Sequence, residues 1–188
     1  MSDHAKYAKN FVDYGIPVYT AAGTEASLMA AGTATRAISP LKRYKIGNFT
    51  VTPFNVPHEP NIECYGYLVE HREMGKLLFL TDLEYCKYSF KNQKINHIMV
   101  EANYDPRYVD LDDANTEHIF KGHMSIETTC DFLKHNNSIY LENVVLCHLS
   151  ALNANSAEFI SKAKEVVKCP VFVAGKGTEI NLGGKCPF

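Results

Sequence analysis

Lys76-Leu77-Leu78-Phe79-Leu80-Thr81-Asp82 is an apolar run that stops abruptly on a threonine and an aspartate. With Met74-Gly75 as a turn signal before it, the run predicts a short strand from Lys76 to Leu80 that hands Asp82 to a loop. Three later segments have the same apolar character: His97 to Glu101, Val144 to Leu149 and Val171 to Ala174. Helical stretches at Ile126 to Lys134 and Ser156 to Val167 separate them, and such alternation is the pattern of α/β layering. Upstream, Arg43 to Ile46, Phe49 to Val56 and Tyr65 to Glu70 follow one another closely, with a turn signal at Gly47-Asn48, and suggest an antiparallel meander. The chain opens with a predicted helix over Ala5 to Tyr14 closed by Gly15, and a short strand over Ile16 to Tyr19. A second helix over Thr24 to Ala31 and a connector around Pro40 follow.

Residues 1–188 read as one α/β domain, and 46% hydrophobic with 21% charged content is enough for one sizeable core. The formal net charge of −2 gives no broad positive field for holding duplex nucleic acid, so any phosphate would have to be met by local groups or metal ions. The six cysteines are scattered without a C-x-x-C pair, and no basic-then-apolar leader opens the chain. A reduced, cytoplasmic protein is expected. No apolar run approaches the roughly 20 residues of a membrane-spanning helix, so no membrane partner is expected either.

Five donors stand where elements run out into loops: Asp3 and His4 before the first helix, His58 after Phe49 to Val56, Asp82 after Lys76 to Leu80, and His148 after Val144 to Cys147. Imidazoles and carboxylates converging from strand ends are what a zinc-like divalent ion needs, because strands hold neutral nitrogen and anionic oxygen rigidly. Taken singly, a strand-end histidine is more often a hydrogen-bonded structural residue, and a Thr-Asp pair is more often a cap or turn.

Together the local motifs carry more. Ser2-Asp3-His4 resembles the last half of the H-x-H-x-D-H motif of the metallo-β-lactamase superfamily. Val56-Pro57-His58, followed by Tyr65-Gly66-Tyr67-Leu68, resembles that family's isolated histidine and next strand, and Leu78-Phe79-Leu80-Thr81-Asp82 the strand delivering its bridging aspartate. Val100-Glu101-Ala102-Asn103-Tyr104-Asp105, Gly122-His123-Met124-Ser125 and Leu146-Cys147-His148-Leu149-Ser150 resemble, in the same order, segments of ribonuclease Z and of YycJ/WalJ-like exonucleases. The resemblance implies an α/β fold of the αββα sandwich type lacking its first strands. It implies a metal-dependent phosphodiesterase acting on nucleic acid or a nucleotide, cyclic ones included, through a hydroxide activated by two zinc ions, with manganese as the alternative metal. It also implies that Asp3, His4 and His148 bind one ion, that His58 belongs to the other, and that Asp82 bridges them. Asp3 and His123 become the candidate catalytic residues, with His123 on the scissile phosphate or the leaving oxygen. Gly122 before His123 and Ser125 as a cap for the helix from Ile126 would favour an anion there. Homodimers are common among such proteins, but nothing in the sequence fixes an interface.

There are departures from the pattern. The two histidines that open H-x-H-x-D-H are absent, which leaves the first ion only His58 and a share of Asp82, and Glu59 stands where the exonuclease-like branch often has aspartate. A second reading therefore stands beside the enzyme: a non-catalytic remnant or interaction protein, or one half of a split enzyme. Other features carry nothing. Ala174-Gly175-Lys176-Gly177-Thr178 lacks the spacing of a phosphate-wrapping loop, and Cys147 reads as a core thiol.

Overall fold

The computed structural model describes residues 5–58, 63–112 and 116–183. Two helices, α1 (Ala8–Asp13) and α2 (Ala22–Ala30), lie before and after β1 (Tyr19–Thr20), which pairs in parallel with β2 (Arg36–Ala37). Neither helix contains a buried residue. The Ala37 backbone N–H donates to Glu25 Oε1 at 2.8 Å and ties α2 to β2. Strand β1 begins at Tyr19 rather than Ile16; Pro17, just ahead of it, has no N–H to give a ladder.

The main sheet contains β3 (Tyr44–Ile46), β4 (Phe49–Val56), β5 (Cys64–His71), β6 (Gly75–Leu80) and β7 (His97–Glu101). After α3 (Thr116–Gly122) and α4 (Ile126–Asn136) come β8 (Asn143–Cys147), α5 (Ser156–Val166) and β9 (Val171–Val173). Spatial order follows chain order from β3 to β9. Pairing is antiparallel as far as β6 and parallel from β6 to β9. The change follows from the connections: tight turns join β3 to β4 and β5 to β6, whereas parallel neighbours need long crossovers, which α3, α4 and α5 provide from β7 onward. The turn before β6 requires glycine. Gly75 has φ +76°, and a Cβ there would come within 2.3 Å of the Asn96 side-chain oxygen.

Register assigns the two faces of the sheet. Leu78, Ile98 and Val144 are directly paired, as are Leu80, Val100 and Leu146 one step on. All six are fully buried and pack in one core with Phe132 and Leu133 of α4 and Phe159 and Ala163 of α5. Burial on this scale is the main stabilising term, about 1.5–3 kcal/mol for each large apolar side chain. Alternation turns Tyr65 and Tyr67 to the opposite face, where with Tyr19, Ala21, Ile38 and Tyr44 they form a second cluster under the β1–β2 pair.

The expected meander, the expected later strands and the helices α4 and α5 are all present. Helix α3 and the two-residue β2 were not anticipated, and α1 is shorter than the stretch from Ala5 to Tyr14. The strand expected to run from Val144 to Leu149 stops at Cys147, because His148 takes φ +56° and turns the chain out of the sheet.

Candidate metal centre

Strands β6, β7 and β8 run parallel in matched register and end together, with Glu101 opposite Cys147 at the last paired position. Ligand sites of open α/β sheets lie beyond such carboxyl ends. Asp82 leaves the end of β6 and His148 the end of β8, with left-handed φ values of +52° and +56°. For a residue with a side chain this conformation costs roughly 1–2 kcal/mol, and it gathers where function demands a direction regular backbone cannot give. Asp82 Oδ1 and His148 Nε2 are 3.3 Å apart.

Glu101 lies between them, fully buried. Its Oε2 accepts the Asp82 backbone N–H at 2.5 Å and stands 3.4 Å from His148 Nδ1. Its Oε1 is 2.7 Å from His123 Nδ1 and also accepts the Met124 N–H at 3.2 Å. Burial would push this carboxyl up, but hydrogen bonds from His123 and His148 outweigh it and hold Glu101 below the ordinary carboxylate range, so it is an anion. An anionic acceptor on Nδ1 of both imidazoles makes Nε2 of each the atom offered to the centre.

Asp82, Glu101, His123 and His148 each offer a ligand atom, and the four atoms lie within 4.8 Å of one another. Two imidazoles and two carboxylates this close are the donor set that zinc or manganese accepts, so the chemistry of the cluster fits a divalent ion. His58 is adjacent. Its Nδ1 donates to the Gly122 carbonyl at 2.8 Å, and its ring centroid lies 5.7 Å from that of His123, which in turn lies 5.1 Å from that of His148. Asp3, His4 and Glu59 lie outside the described residues.

His123 occupies the junction of α3 and α4. The Ser125 hydroxyl caps α4 by accepting the Thr128 N–H at 3.1 Å, and the Thr129 hydroxyl donates to the Glu101 carbonyl at 2.7 Å, clamping the helix start to the end of β7. The expected cap is therefore in place, with the positive end of α4 beside the cluster. Cys147 is buried, and burial raises its thiol to about 12; the Cys64 thiol is likewise pushed up to about 11. Both are protonated packing groups, in line with the core reading of Cys147.

Sequence reasoning did not assign Glu101 a role, although it ends an apolar strand as Asp82 and His148 follow theirs. The register of three parallel strands was needed to find it.

No protein-family model and no curated protein matches the chain. Solved structures do. The metallo-β-lactamase fold protein YhfI from Bacillus subtilis superposes with a TM-score of 0.68 at 19% identity, covering 94% of this chain and 72% of that one. Igni18, a metallo hydrolase from the archaeon Ignicoccus hospitalis, gives 0.69 at 13% identity, covering 95% and 74%. A diphosphatase of the PhnP family gives 0.55 at 11% identity, covering 82% and 54%. The chain has the metallo-β-lactamase fold.

Proposed function

We propose that the protein is a metal-dependent hydrolase of phosphoesters, with small phosphodiesters such as nucleotides as its substrates and zinc or manganese as its cofactor. The observation that carries this reading is the convergence of Asp82, Glu101, His123 and His148 within 4.8 Å at the ends of three parallel strands. A divalent ion held there supplies Lewis-acid polarisation of a phosphoryl oxygen. Asp82 and His148 are its proposed ligands, with His58 next to them; Asp3 and His4 complete the proposed set.

His123 has a different role in this proposal. With Nδ1 bound to Glu101, the ring is fixed in place and its Nε2 can donate a proton to a departing oxygen. The α4 N-terminus adds positive potential where a phosphate would sit. Phosphoester chemistry is also supported by the PhnP-family diphosphatase among the structural neighbours. The net charge of −2 favours a nucleotide-sized substrate over a duplex, which needs a basic surface. A cytoplasmic location belongs to the same proposal and is supported by the free cysteines Cys64, Cys86, Cys130, Cys147 and Cys169. Among the described residues no helix is long and apolar enough to cross a membrane.

The test is hydrolysis of bis(p-nitrophenyl) phosphate and of cyclic nucleotides by the zinc- or manganese-loaded protein. Asp82→Ala should abolish both metal retention and turnover. His123→Ala should retain the metal while turnover falls by about 10²–10⁴, the usual worth of a positioned general acid. Loss of metal from His123→Ala would make His123 a ligand. A loaded protein that leaves every phosphoester intact but opens a lactam or thioester would move the function to another hydrolase class.

A further inference from the structure

The strain at His148 needs a structural cause. β8 could have continued through His148, as its apolar sequence suggests, yet the backbone turns into the left-handed region at that residue. What faces it is the segment Ala102–Asp105, which extends β7 beyond Glu101. The Ala102 N–H donates to the Cys147 carbonyl at 3.0 Å, the last regular contact on that side. One residue on, the Asn103 side chain replaces the backbone: its Nδ2 donates to the His148 carbonyl at 2.8 Å and stands 3.4 Å from His148 Nδ1. The backbone of Asn103 is equally committed, accepting the Ser150 N–H at 2.8 Å and donating to the Met124 carbonyl at 2.9 Å. Asn103 is itself buried.

We infer that Asn103 is a positioning residue: its side-chain amide holds His148 in the left-handed conformation that aims Nε2 at Asp82, while its backbone fixes the His123 loop on one side and the His148 loop on the other. The amide suits this position. A left-handed residue turns its carbonyl out of the ladder, and the part-buried oxygen then takes a donor that the neighbouring backbone does not supply. Aspartate, of the same shape, would present an acceptor to that carbonyl, and alanine would present nothing. The inference rests on the proposed reading of the cluster as a metal centre, but the conformation of His148 can be tested without metal.

Asn103→Ala and Asn103→Asp are compared with Asn136→Ala. Asn136 is another buried asparagine, at the far end of α4, where Nδ2 donates to the Phe132 carbonyl and Oδ1 accepts the Phe90 N–H. Cobalt titration followed by the visible absorption of the ion should show binding weakened 10–100-fold in both Asn103 variants, as for groups that orient a metal-binding histidine, and unchanged in Asn136→Ala. In the metal-free protein the amide resonances of His148 and Leu149 and the imidazole nitrogen shifts of His148 should move in both Asn103 variants and stay fixed in Asn136→Ala. Unmoved His148 resonances in Asn103→Ala would overturn the inference, as would cobalt affinity equal to that of the parent. A parent protein that binds no cobalt would remove the metal-centre reading, and the resonance shifts would then decide the positioning role alone.

Discussion

The two ends of this molecule are built by opposite means. Leu78 and Leu80 of β6, Ile98 and Val100 of β7 and Val144 and Leu146 of β8 have no exposure, and the loops that leave these strands are cross-linked by Glu101, by Asn103 and by the Asn153 carbonyl, which accepts the Asp105 N–H. In α1 and α2 no residue is buried, and Tyr7, Phe11, Tyr14 and Met29 are all more than half or about half exposed. Rigidity is therefore concentrated under the candidate centre. Strained residues such as Asp82 and His148 persist only where the surrounding structure over-determines them, and the packed parallel strands provide that surrounding.

The largest effect should come from the group that joins the strand ends. Glu101→Gln keeps the shape but removes the anion shared by His123, His148 and the Asp82 N–H. Metal affinity, measured by competition with a chromogenic chelator, should fall by about 100-fold or more, and hydrolysis should fall with it. Retention of parental affinity would mean that Glu101 is only a packing partner and that the contrast between the two regions has no functional meaning.

Side-chain truncation tests the contrast directly. Leu80→Ala, at a site with no exposure, should cost about 3–4 kcal/mol in urea unfolding, from lost transfer energy and the cavity left behind. Phe11→Ala, on the exposed face of α1, should stay within about 0.5 kcal/mol. Equal costs would show that α1 is buried in solution by something that these residues do not themselves provide.

How much of this was legible in the sequence depends on how local each cause is. β4 and β7 were placed to the residue because apolar runs bounded by turn residues specify a strand by themselves. Asp82, His123 and His148 were found as strand-end and pre-helix residues, and the structure brings all three together. The exit of His148 from β8 was not legible, since its cause is the side chain of Asn103, 45 positions away. Glu101 was hidden for a similar reason: an acid at the end of a strand is unremarkable until its neighbours in register are known. α3 has too little apolar periodicity, with only Ile119 and Phe120 together, to stand out from a loop.

A smaller effect is expected at the outer edge of the site region. Asp105 is a fully buried carboxylate that receives Arg107 at 2.6 Å and Lys162 at 2.8 Å; Lys162 also meets Glu127, and Arg107 meets Glu158. Hydrogen bonds from Arg107 lead the effects that hold the Asp105 carboxyl well below the usual carboxylate range, against the opposing effect of burial. A depressed value means that the stabilisation is complete above the unfolded-state pKa of about 4 and is lost as pH falls below it. Asp105→Asn should cost roughly 2 kcal/mol at pH 7, discounted because Arg107 is more than half exposed. The gap between variant and parent in urea midpoint should narrow below about pH 4. A gap independent of pH would assign the cost to packing.

The smallest effect concerns the thiols beside the centre. Cys147 precedes His148, and the Cys64 thiol donates to the Asp82 carbonyl at 3.2 Å, so both stand close to the proposed metal ligands. Proximity alone would make either a candidate ligand or nucleophile, but both roles require the thiolate. Burial raises Cys64 to about 11 and Cys147 to about 12, which leaves only a minute thiolate fraction at neutral pH. The Cys147 thiol is also engaged within the sheet, its Sγ lying 3.8 Å from the Leu80 carbonyl. Iodoacetamide at pH 7.5 should therefore label neither residue in the folded protein on the time scale of a free thiol, as read by mass spectrometry of the quenched digest. Cys147→Ala should lose about 1 kcal/mol of stability through the small cavity and hold zinc within twofold of the parent. A tenfold loss of zinc from that variant would make the thiol a ligand and shift the centre from the loops beyond the sheet into the last turn of β8.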